Sequence, residues 1–467
     1  MYRAQGVTRV RSSPFGWRTI VLTLFLGDLL SALVGAFLAV LLWSALPTDF
    51  VPTPLLPQWV VGSTIAWLLA LSFLDGYDIV APTFWRAMPG IVARAFLVVA
   101  LVTAAVFFTV PFLFPRGVGI LAPLVVMIVL VVWRLVFAKS IRASGLRRRV
   151  LLLGADEACQ RLAQLLLASR TGISYEPVAF LSAADDAPEQ LFGLPVLRGT
   201  EKLWEIVRES RVDEIVVGSE EAIVSVGQVA LVECFARGVT ASSAVALYEA
   251  LTGRVLVSSL GPTWFAQIPT DPHRPYLLAK RAVDFLIVLA LAPIWVLLAV
   301  VVAFAVLVGS GAPAMFRQVR VGERGVPFVI HKFRTMREGS ETEGARFADV
   351  GDERRTRLGR VLRRTHLDEL PQLWDVLLGH MSLIGPRPER PEFVDRLRAA
   401  MPLYEARFLV KPGLTGWAQV RLPYAANIEE SLMKLEYDLY YVKHLGPLLD
   451  LSIAFRTLGT LLRISGR

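Results

Sequence analysis

Residues 285–308, FLIVLALAPIWVLLAVVVAFAVLV, form an uncharged apolar stretch that decides how the C-terminal part of the chain meets a membrane. A helix needs roughly 20 apolar residues to cross a bilayer, so this stretch is long enough. Pro293 lies about a third of the way along it. Proline lacks a backbone N–H and clashes with the preceding turn, so it kinks a helix. The sequence therefore predicts a helix that bends at Ala292 and Pro293.

The charges around this stretch indicate that both of its flanks lie on one side of the membrane. Lys280 and Arg281 precede it. Five basic residues follow closely: Arg317, Arg320, Arg324, Lys332 and Arg334. Lys and Arg are enriched in cytoplasmic loops. We therefore expect a re-entrant membrane helix over about 283–308, which enters, bends and returns to the cytoplasmic face.

Four more apolar stretches lie upstream and predict a membrane bundle. They run from about Thr19 to Leu46, Trp59 to Leu74, Ala95 to Phe114 and Val118 to Phe137. The segments before the first and after the last carry several basic residues and no acid, which places both ends of the bundle in the cytoplasm. The expected organisation is a cytoplasmic N-terminus over 1–18 and a four-helix transmembrane bundle over 19–138.

The composition agrees with a membrane protein. Of 467 residues, 54% are hydrophobic and 19% charged, where soluble domains average about 25% charged. The formal charge of +9 indicates nucleic acid, anionic lipid or a phosphate-bearing substrate as partner. Cys159 and Cys234 are the two cysteines and lie in no Cys/His cluster, which disfavours a disulfide framework and a structural zinc site.

Residues 145–270 have the pattern of an α/β domain. VLLLGA (150–155) leads from an apolar run into a glycine and then a helical pattern, and 177–181 and 214–218 are expected to be strands. Alternation of strands and helices predicts a parallel, Rossmann-like sheet. The G-x-G-x-x-G loop of dinucleotide-binding domains is missing, and Asp156 and Glu157 would meet a phosphate with negative charge. We expect a Rossmann-like domain without a bound dinucleotide, with a role in oligomerisation or regulation.

Beyond Met315, Arg- and Pro-rich motifs replace the apolar patterns. In chain order they are RQVRVG (317–322), KFRTM (332–336), LRRTHLDELPQL (362–373), GPRP (385–388), KPGLTGWAQV (411–420) and YDLYYV (437–442). Asp368 and Glu369 sit at the start of a predicted helix over 370–378, which has Pro371 in its first turn. The positive end of a helix dipole, with Arg363 and Arg364 nearby, is expected to favour ionised carboxylates. One carboxylate is then suited to attack phosphorus and the other to bind Mg²⁺, although both would also simply complement the helix end.

The basic residues of these motifs fit phosphate recognition. Guanidinium groups match phosphate oxygens in pairs, and Arg387 is held stiffly between Pro386 and Pro388. Lys332 and Arg334 alternate around Phe333 after a strand-like run. Surface ion pairs and an anionic lipid surface remain alternatives for these cations.

Together, the motifs around Asp368, Arg387 and 411–420, with KFRTM before them, resemble the bacterial sugar transferase family, the monotopic polyprenyl-phosphate phosphoglycosyl transferases. The resemblance covers about 275–467, and the bundle and middle domain resemble those of the longer members, which start exopolysaccharide or O-antigen synthesis. It implies a catalytic α/β domain over 275–467 at the cytoplasmic face of a bacterial inner membrane.

The resemblance also implies a reaction and roles for residues. A UDP-sugar would give its sugar 1-phosphate to undecaprenyl phosphate, with UMP leaving, and UDP-glucose and UDP-galactose lead as donors. Asp368 would be the nucleophile, and Glu369, with Asp368 beside it, would hold Mg²⁺. The remaining substrate-site positions are Lys332, Arg334, Arg363, Arg364, Pro386, Arg387, Pro388 and Asp438. A homodimer is implied as well.

Two positions depart from the family pattern. The family commonly has Ser-Pro at the membrane bend, where this chain has Ala292-Pro293. A serine hydroxyl can bond backbone groups freed by the proline and an alanine cannot, so other partners must stabilise the bend. The family often has serine two residues before the nucleophile, where this chain has His366, which we interpret as a solvated residue.

Two other functions compete with the transferase. Membrane-bound nucleotide-sugar dehydratases and epimerases also join a helix bundle to Rossmann-type domains, and Tyr276 and Lys280 match their Tyr-x-x-x-Lys pair. They need a glycine-rich NAD loop, which is absent. A non-catalytic polysaccharide-assembly scaffold is the other alternative, which the intact acidic pair opposes. Nucleic-acid binding is not expected, because the basic residues lack interleaved aromatic side chains.

Overall fold

The computed structural model describes most of the chain. The described residues are 17–45, 56–74, 76–77, 84–109, 116–143, 148–168, 175–184, 187–199, 202–260, 264, 268, 275–337, 354–401, 403–422 and 428–462. The predicted cytoplasmic N-terminus lies almost wholly outside these residues. The chain divides into two compact units, Met1–Thr252 and Gly253–Arg467.

Four apolar helices form the first part of the N-terminal unit, as the sequence predicts. They are α1 (Trp17–Ser44), α2 (Leu56–Phe73), α3 (Phe84–Thr109) and α4 (Arg116–Ala143). By length and composition α1, α3 and α4 are long enough to cross a membrane, and α2 is a shorter apolar helix. Helix α3 begins well before the apolar stretch and accommodates Pro89 in its second turn.

A buried ion pair joins α1 to α4. The Arg134 guanidinium donates to Asp28 through Nε at 3.1 Å and Nη2 at 2.7 Å, and both side chains are fully buried. Asp28 lies eleven residues after the start of α1, and Arg134 lies nine residues before the end of α4. At 1.5 Å per residue these depths are nearly equal, so the start of α1 and the end of α4 lie at the same end of the bundle.

The rest of this unit is the expected parallel α/β domain. Its sheet has the order β3-β4-β2-β1-β5-β6, with every neighbouring pair parallel except β3 and β4. The strands are β1 (Arg148–Leu153), β2 (Tyr175–Leu181), β3 (Gln190–Leu191), β4 (Leu194–Leu197), β5 (Glu214–Val217) and β6 (Thr240–Ser243). The helices are α5 (Glu157–Ala168), α6 (Leu203–Glu209), α7 (Glu220–Val226), α8 (Gln228–Ala236) and α9 (Ala244–Thr252).

At the carboxyl ends of β1 and β5, where such sheets bind ligands, an acidic side chain fills the crevice. Asp156 Oδ1 accepts the N–H of Cys159 at the start of α5, at 3.0 Å. Asp156 Oδ2 is buried against Gly218, where a Cβ atom would lie 2.0 Å from it. A dinucleotide pyrophosphate would therefore meet a carboxylate here.

The C-terminal unit begins with two helices and a hairpin. A single residue separates helix α10 (Pro275–Ala290) from α11 (Ala292–Ser310). The antiparallel strands β7 (Met315–Val321) and β8 (Pro327–Phe333) follow. Helices α12 (Arg357–Thr365), α13 (Gln372–Leu378), α14 (Pro391–Ala400), α15 (Trp417–Arg421), α16 (Ile428–Lys443) and α17 (Pro447–Leu462) build most of the remainder. The strands β9 (Ser382–Ile384) and β10 (Gly413–Thr415) form a short parallel pair among these helices.

The helix break occurs where Pro293 predicts it. Leu291 separates α10 from α11, and Pro293 occupies the first turn of α11, where a missing N–H costs little. The Trp295 indole N–H donates to the carbonyl of Val288 in α10 at 3.0 Å. A tryptophan thus supplies the side-chain donor that Ala292 cannot.

The boundary between the units differs from the one expected at residue 270. Val255, Trp264 and Ile268 pack in one core with Phe393 and Leu435 of the C-terminal unit. A hydrogen bond supports this placement, because the Trp417 indole N–H donates to the Gly253 carbonyl at 2.8 Å. The α/β domain therefore ends at Thr252, and the following segment belongs to the core of the second unit.

Candidate active site

The acidic pair lies on a separate 3-10 turn rather than in the first turn of a helix. Helix α12 ends at Thr365, and His366 caps it in the left-handed conformation with φ of 58°. The turn Leu367–Glu369 follows, and α13 begins only at Gln372, with Pro371 at its N-cap. The left-handed residue reverses the chain between α12 and the pair, while its own side chain is exposed, as expected of a solvated residue.

Glu369 is held by two cations. Lys332 Nζ on β8 lies 3.1 Å from Glu369 Oε1. The Arg387 guanidinium bonds both carboxylate oxygens, with Nη1 3.3 Å from Oε2 and Nη2 on Oε1. Burial alone would raise the pKa of Glu369, but Arg387 and Lys332 outweigh it and hold that pKa far below its usual value. Glu369 is therefore a fixed anion.

Asp368 has the opposite environment. Its residue is 7% exposed, and among the described residues its carboxylate accepts no hydrogen bond. Burial and the neighbouring Glu369 raise the pKa of Asp368, and Lys332, Arg363 and Arg387 counteract this only in part. The helix-dipole argument predicted a lowered pKa and is wrong for this residue, because the pair precedes the helix and Asp368 is desolvated. An unbonded carboxylate is free to act on a substrate.

Lys332 and Arg387 reach Glu369 from elements that are themselves fixed. The backbone N–H of His331 donates to Asp375 Oδ2 at 3.0 Å, and its ring Nδ1 lies 2.7 Å from Oδ1. These bonds tie β8 to α13 and place the next residue, Lys332, beside the acidic pair. Burial lowers the pKa of the Lys332 ammonium, which Glu369 partly restores.

The other predicted basic residues lie in different surroundings. Arg363 Nε donates to Thr335 Oγ1 at 2.9 Å and is close enough to act on the charge of Asp368. The Arg334 guanidinium instead binds the carbonyls at the C-terminal end of α11, with Nη1 3.0 Å from the Ala312 oxygen. Arg364 is exposed. The structure thus brings Arg363 to the acidic pair and places Arg334 on a helix end.

Sequence reasoning missed Arg407, which stands behind the 386–388 loop. Its Nη2 donates to the Arg387 carbonyl at 2.9 Å and to Asp438 Oδ2 at 2.8 Å, and its Nη1 donates to the Tyr404 hydroxyl. Asp438 therefore holds Arg407 and is linked to the acidic pair only through Arg407 and Arg387. Burial raises the pKa of Asp438, and Arg407 counteracts this in part. No motif pointed to Arg407, since it lies between recognisable motifs.

A small polar cavity adjoins this pair. It has a volume of about 30 Å³ and is lined in part by Glu389, Arg407, Lys434 and Asp438. Lys434 pairs with Glu389, and although burial opposes it, Lys434 and Arg407 lower the pKa of Glu389 to about 2. The space suffices for a water molecule but not for a sugar nucleotide.

The acidic pair fits a magnesium ion that substrate phosphates help to bind. Mg²⁺ is commonly held by one or two carboxylates together with substrate phosphates. Asp368 and Glu369 supply two carboxylates, and the described residues contain no group of three His, Cys, Asp or Glu side chains that would form a closed metal site. The unbonded Asp368 and the Glu369 carboxylate would be its ligands.

Tyr276 and Lys280 form no dehydrogenase-type pair. The Tyr276 hydroxyl donates to Asp450 Oδ2, and Lys280 Nζ lies 2.6 Å from the same oxygen. Tyr441 bonds the other oxygen of Asp450 at 2.8 Å. These contacts fasten the start of α10 to α16 and α17, which gives the two residues a structural role.

Comparison with known proteins identifies the family. The family model described as bacterial sugar transferase matches residues 275–464. The UDP-glucose:undecaprenyl-phosphate glucose-1-phosphate transferase of Caulobacter vibrioides is 41% identical over 187 residues, which are 40% of this chain and 70% of that protein. This chain belongs to the bacterial sugar transferase family. The matched region of this bacterial sugar transferase contains the acidic pair and the 386–388 loop.

Other relatives extend the comparison. The UDP-N-acetylgalactosamine-undecaprenyl-phosphate N-acetylgalactosaminephosphotransferase of Aeromonas hydrophila is 42% identical over 46% of this chain, and the match spans half of that protein. A UDP-glucose:undecaprenyl-phosphate glucose-1-phosphate transferase of Xanthomonas campestris pv. campestris is 31% identical over 69% of each chain. A model described as CoA-binding domain matches residues 72–218 of this sugar transferase.

Proposed function

We propose that this chain transfers a sugar 1-phosphate from a UDP-sugar to undecaprenyl phosphate, releases UMP, and so starts the membrane stage of exopolysaccharide, capsule or O-antigen synthesis. The observation that carries the proposal is the contrast between two adjacent carboxylates. Asp368 is buried and unbonded, whereas Glu369 is fixed by Lys332 and Arg387. Such a contrast suits one nucleophile beside one electrostatic anchor.

The reaction then has two displacements at the same phosphorus atom. A carboxylate oxygen of Asp368 attacks the sugar-bearing phosphorus of the donor, the bond to UMP breaks, and an aspartyl-phosphosugar forms. A phosphate oxygen of the lipid next attacks this phosphorus, and the aspartate leaves with its electron pair. The product is the lipid diphosphate sugar. Because a covalent intermediate separates the two substrates, ping-pong kinetics are expected.

The surrounding cations would stabilise the charge of the transferred group. Lys332, Arg363 and Arg387 are the cations that act on Asp368, and preorganised charges of this kind contribute most where water is excluded. The stiff loop at 386–388 would bind the uridine nucleotide. Mg²⁺ bound at Asp368 and Glu369 would neutralise the diphosphate, and chelation by EDTA should abolish activity that added Mg²⁺ restores.

A panel of sugar nucleotides tests the reaction and the donor together. The purified protein in lipid nanodiscs is incubated with undecaprenyl phosphate, Mg²⁺ and UDP-glucose, UDP-galactose or N-acetylated UDP-sugars. UMP release should require the lipid and disappear in Asp368→Asn, while Asp395→Asn, an exposed carboxylate on α14, should match the wild type. If none of the UDP-sugars gives UMP release, the transferase proposal is rejected. Release that survives Asp368→Asn would reject the nucleophile.

The same proposal places the catalytic unit on the cytoplasmic face of the bacterial inner membrane, as a homodimer. The break between α10 and α11 at Leu291 and the basic residues on both flanks support re-entry of this segment. In intact cells, a cysteine introduced near Arg467 should resist an impermeant reagent and react after lysis. Reaction from outside would show that α11 crosses the membrane, and crosslinking in native membranes would test the dimer.

A further inference from the structure

Helix α12 has an outer face that no described residue of the C-terminal unit pairs with through a hydrogen bond or ion pair. Arg357, Arg360, Val361 and Arg364 recur at the i, i+3, i+4 and i+7 spacing of one helix face, and all four are exposed. Val361 keeps 55% of its surface open. Within the described part of the chain, none of the three arginines forms an ion pair or hydrogen bond. We call these four residues the arginine face.

The opposite face of α12 lies against the apolar helix α11. Leu362 is buried in one cluster with Val302 and Val306, and Leu358 packs against the same cluster. A Cβ atom at Gly309 would lie 3.6 Å from Leu358 Cδ2. Helix α12 therefore flanks the last turns of α11.

Those last turns are themselves apolar on their outer side. Phe304 is 68% exposed and Val308 is 73% exposed. This exposure suits a lipid environment, because α11 is long and apolar enough to span a membrane. Exposed apolar side chains that continue to Val308 place the hydrocarbon boundary close to Gly309. The headgroup layer begins at that boundary and extends for several ångströms. The arginine face, about 10 Å long at 1.5 Å per residue, is thus within reach of headgroups.

We propose that the arginine face binds the anionic phospholipid headgroups of the bilayer in which α11 is embedded. Three guanidinium groups that pair with no described residue complement lipid phosphates, which they can bind in pairs of hydrogen bonds. Val361 between them suits the boundary between headgroups and hydrocarbon, and the long arginine side chains can extend along it. The helix that carries this face packs on the last turns of α11, so the bilayer around α11 is the occupant that we assign to it. Docking would hold the acidic pair, which directly follows α12, at the membrane surface.

The inference relies on the membrane placement of α11 in the proposed function, so the experiment measures the two separately. Cys159 and Cys234 are buried, which allows a fluorophore to be attached to an introduced cysteine in the full chain. Val361→Cys reports the arginine face, Val300→Cys reports the lipid-facing side of α11, and Asp395→Cys serves as a reporter on α14. The labelled proteins are placed in phosphatidylcholine nanodiscs with or without phosphatidylglycerol. Nitroxide quenchers are carried on headgroups or on acyl chains.

Headgroup nitroxides should quench the Val361→Cys reporter, more strongly with phosphatidylglycerol and less at high salt. Each arginine near an anionic surface favours binding about fivefold. Replacing Arg357, Arg360 and Arg364 by Gln should therefore remove the effect of phosphatidylglycerol, and replacing them by Lys should keep most of it. The control replaces Arg208, Arg324 and Arg396, exposed arginines elsewhere, by Gln and should behave as the wild type. The Asp395→Cys reporter should not be quenched.

Three results would overturn the inference. The first is Val361 quenching that is equal with and without phosphatidylglycerol, while acyl-chain nitroxides still quench Val300→Cys. The second is a raised KM for the UDP-sugar in the triple Gln variant with unchanged quenching, which would assign the face to the donor. The third is a loss of quenching at both Val300→Cys and Val361→Cys, which would remove the membrane placement itself.

Discussion

The Arg407–Asp438 pair allows stability and catalysis to be separated in one experiment. Both side chains are 2% exposed, and Arg407 Nη2 also donates to the Arg387 carbonyl. Asp438→Asn leaves the Arg407 charge buried without its counter-charge, and removal of one partner of a buried pair costs about 3–5 kcal/mol. For a unit of this size that corresponds to a fall in Tm of roughly 6–20 °C. Arg407→Met should cost a similar amount.

The double variant Arg407→Met, Asp438→Leu distinguishes the two roles. An apolar pair of similar volume replaces buried ions at little cost or with a gain, so its Tm should recover most of the loss. Its activity should stay low, because the Arg387 carbonyl still lacks its donor and a displacement of about 1 Å at such a group can cost about 100-fold. UMP release and thermal unfolding in nanodiscs measure both quantities. A double variant that regains wild-type kcat/KM would refute the positioning of Arg387 by Arg407.

Three further predictions follow from other contacts. Asp368 must be ionised to attack and its pKa is raised, so kcat/KM should increase with pH through a midpoint above the usual aspartate value of about 3.9; a rate that is flat or falls over that range would contradict this. Trp295→Phe removes the hydrogen bond from the indole to the Val288 carbonyl, which is worth about 1 kcal/mol and stabilises the bend. The fraction of chains whose C-terminus is labelled from outside the cell should therefore rise about fivefold. An unchanged fraction would show that other contacts stabilise the bend. Because the Asp28–Arg134 pair is fully buried, Asp28→Asn should lower Tm strongly, and the double variant Asp28→Leu, Arg134→Met should restore it. An unchanged Tm in Asp28→Asn would show that the ion pair does not stabilise the bundle.

The local elements were predictable wherever a single physical signal dominates. Apolar length gave the four helices of the bundle, alternation gave the parallel sheet, and the missing N–H of Pro293 gave the break at Leu291. The domain boundary was not predictable in the same way. Residues after Gly253 carry no pattern that distinguishes the two cores, and only packing of Trp264 with Phe393 assigns them.

The residues of the candidate site were likewise predictable only where a motif marked them. Motifs identified Asp368, Glu369, Lys332 and Arg387, which the structure brings together. Arg407 was missed because its partners come from positions distant in the chain, and a lone arginine gives no signal of such a contact. The protonation behaviour of Asp368 was also beyond the sequence, since adjacent carboxylates differ here through burial and hydrogen bonding rather than through spacing.

The central claim is that Asp368 becomes covalently attached to the sugar phosphate. The direct measurement is rapid mixing of the protein with its UDP-sugar and Mg²⁺ in nanodiscs without undecaprenyl phosphate, followed by mass spectrometry of the intact chain and its peptides. The account predicts a burst of UMP close to one per chain and a matching mass increase on the peptide that contains Asp368, both absent in Asp368→Asn. UMP formed only when the lipid phosphate is present, with no modified peptide at any time, would contradict it.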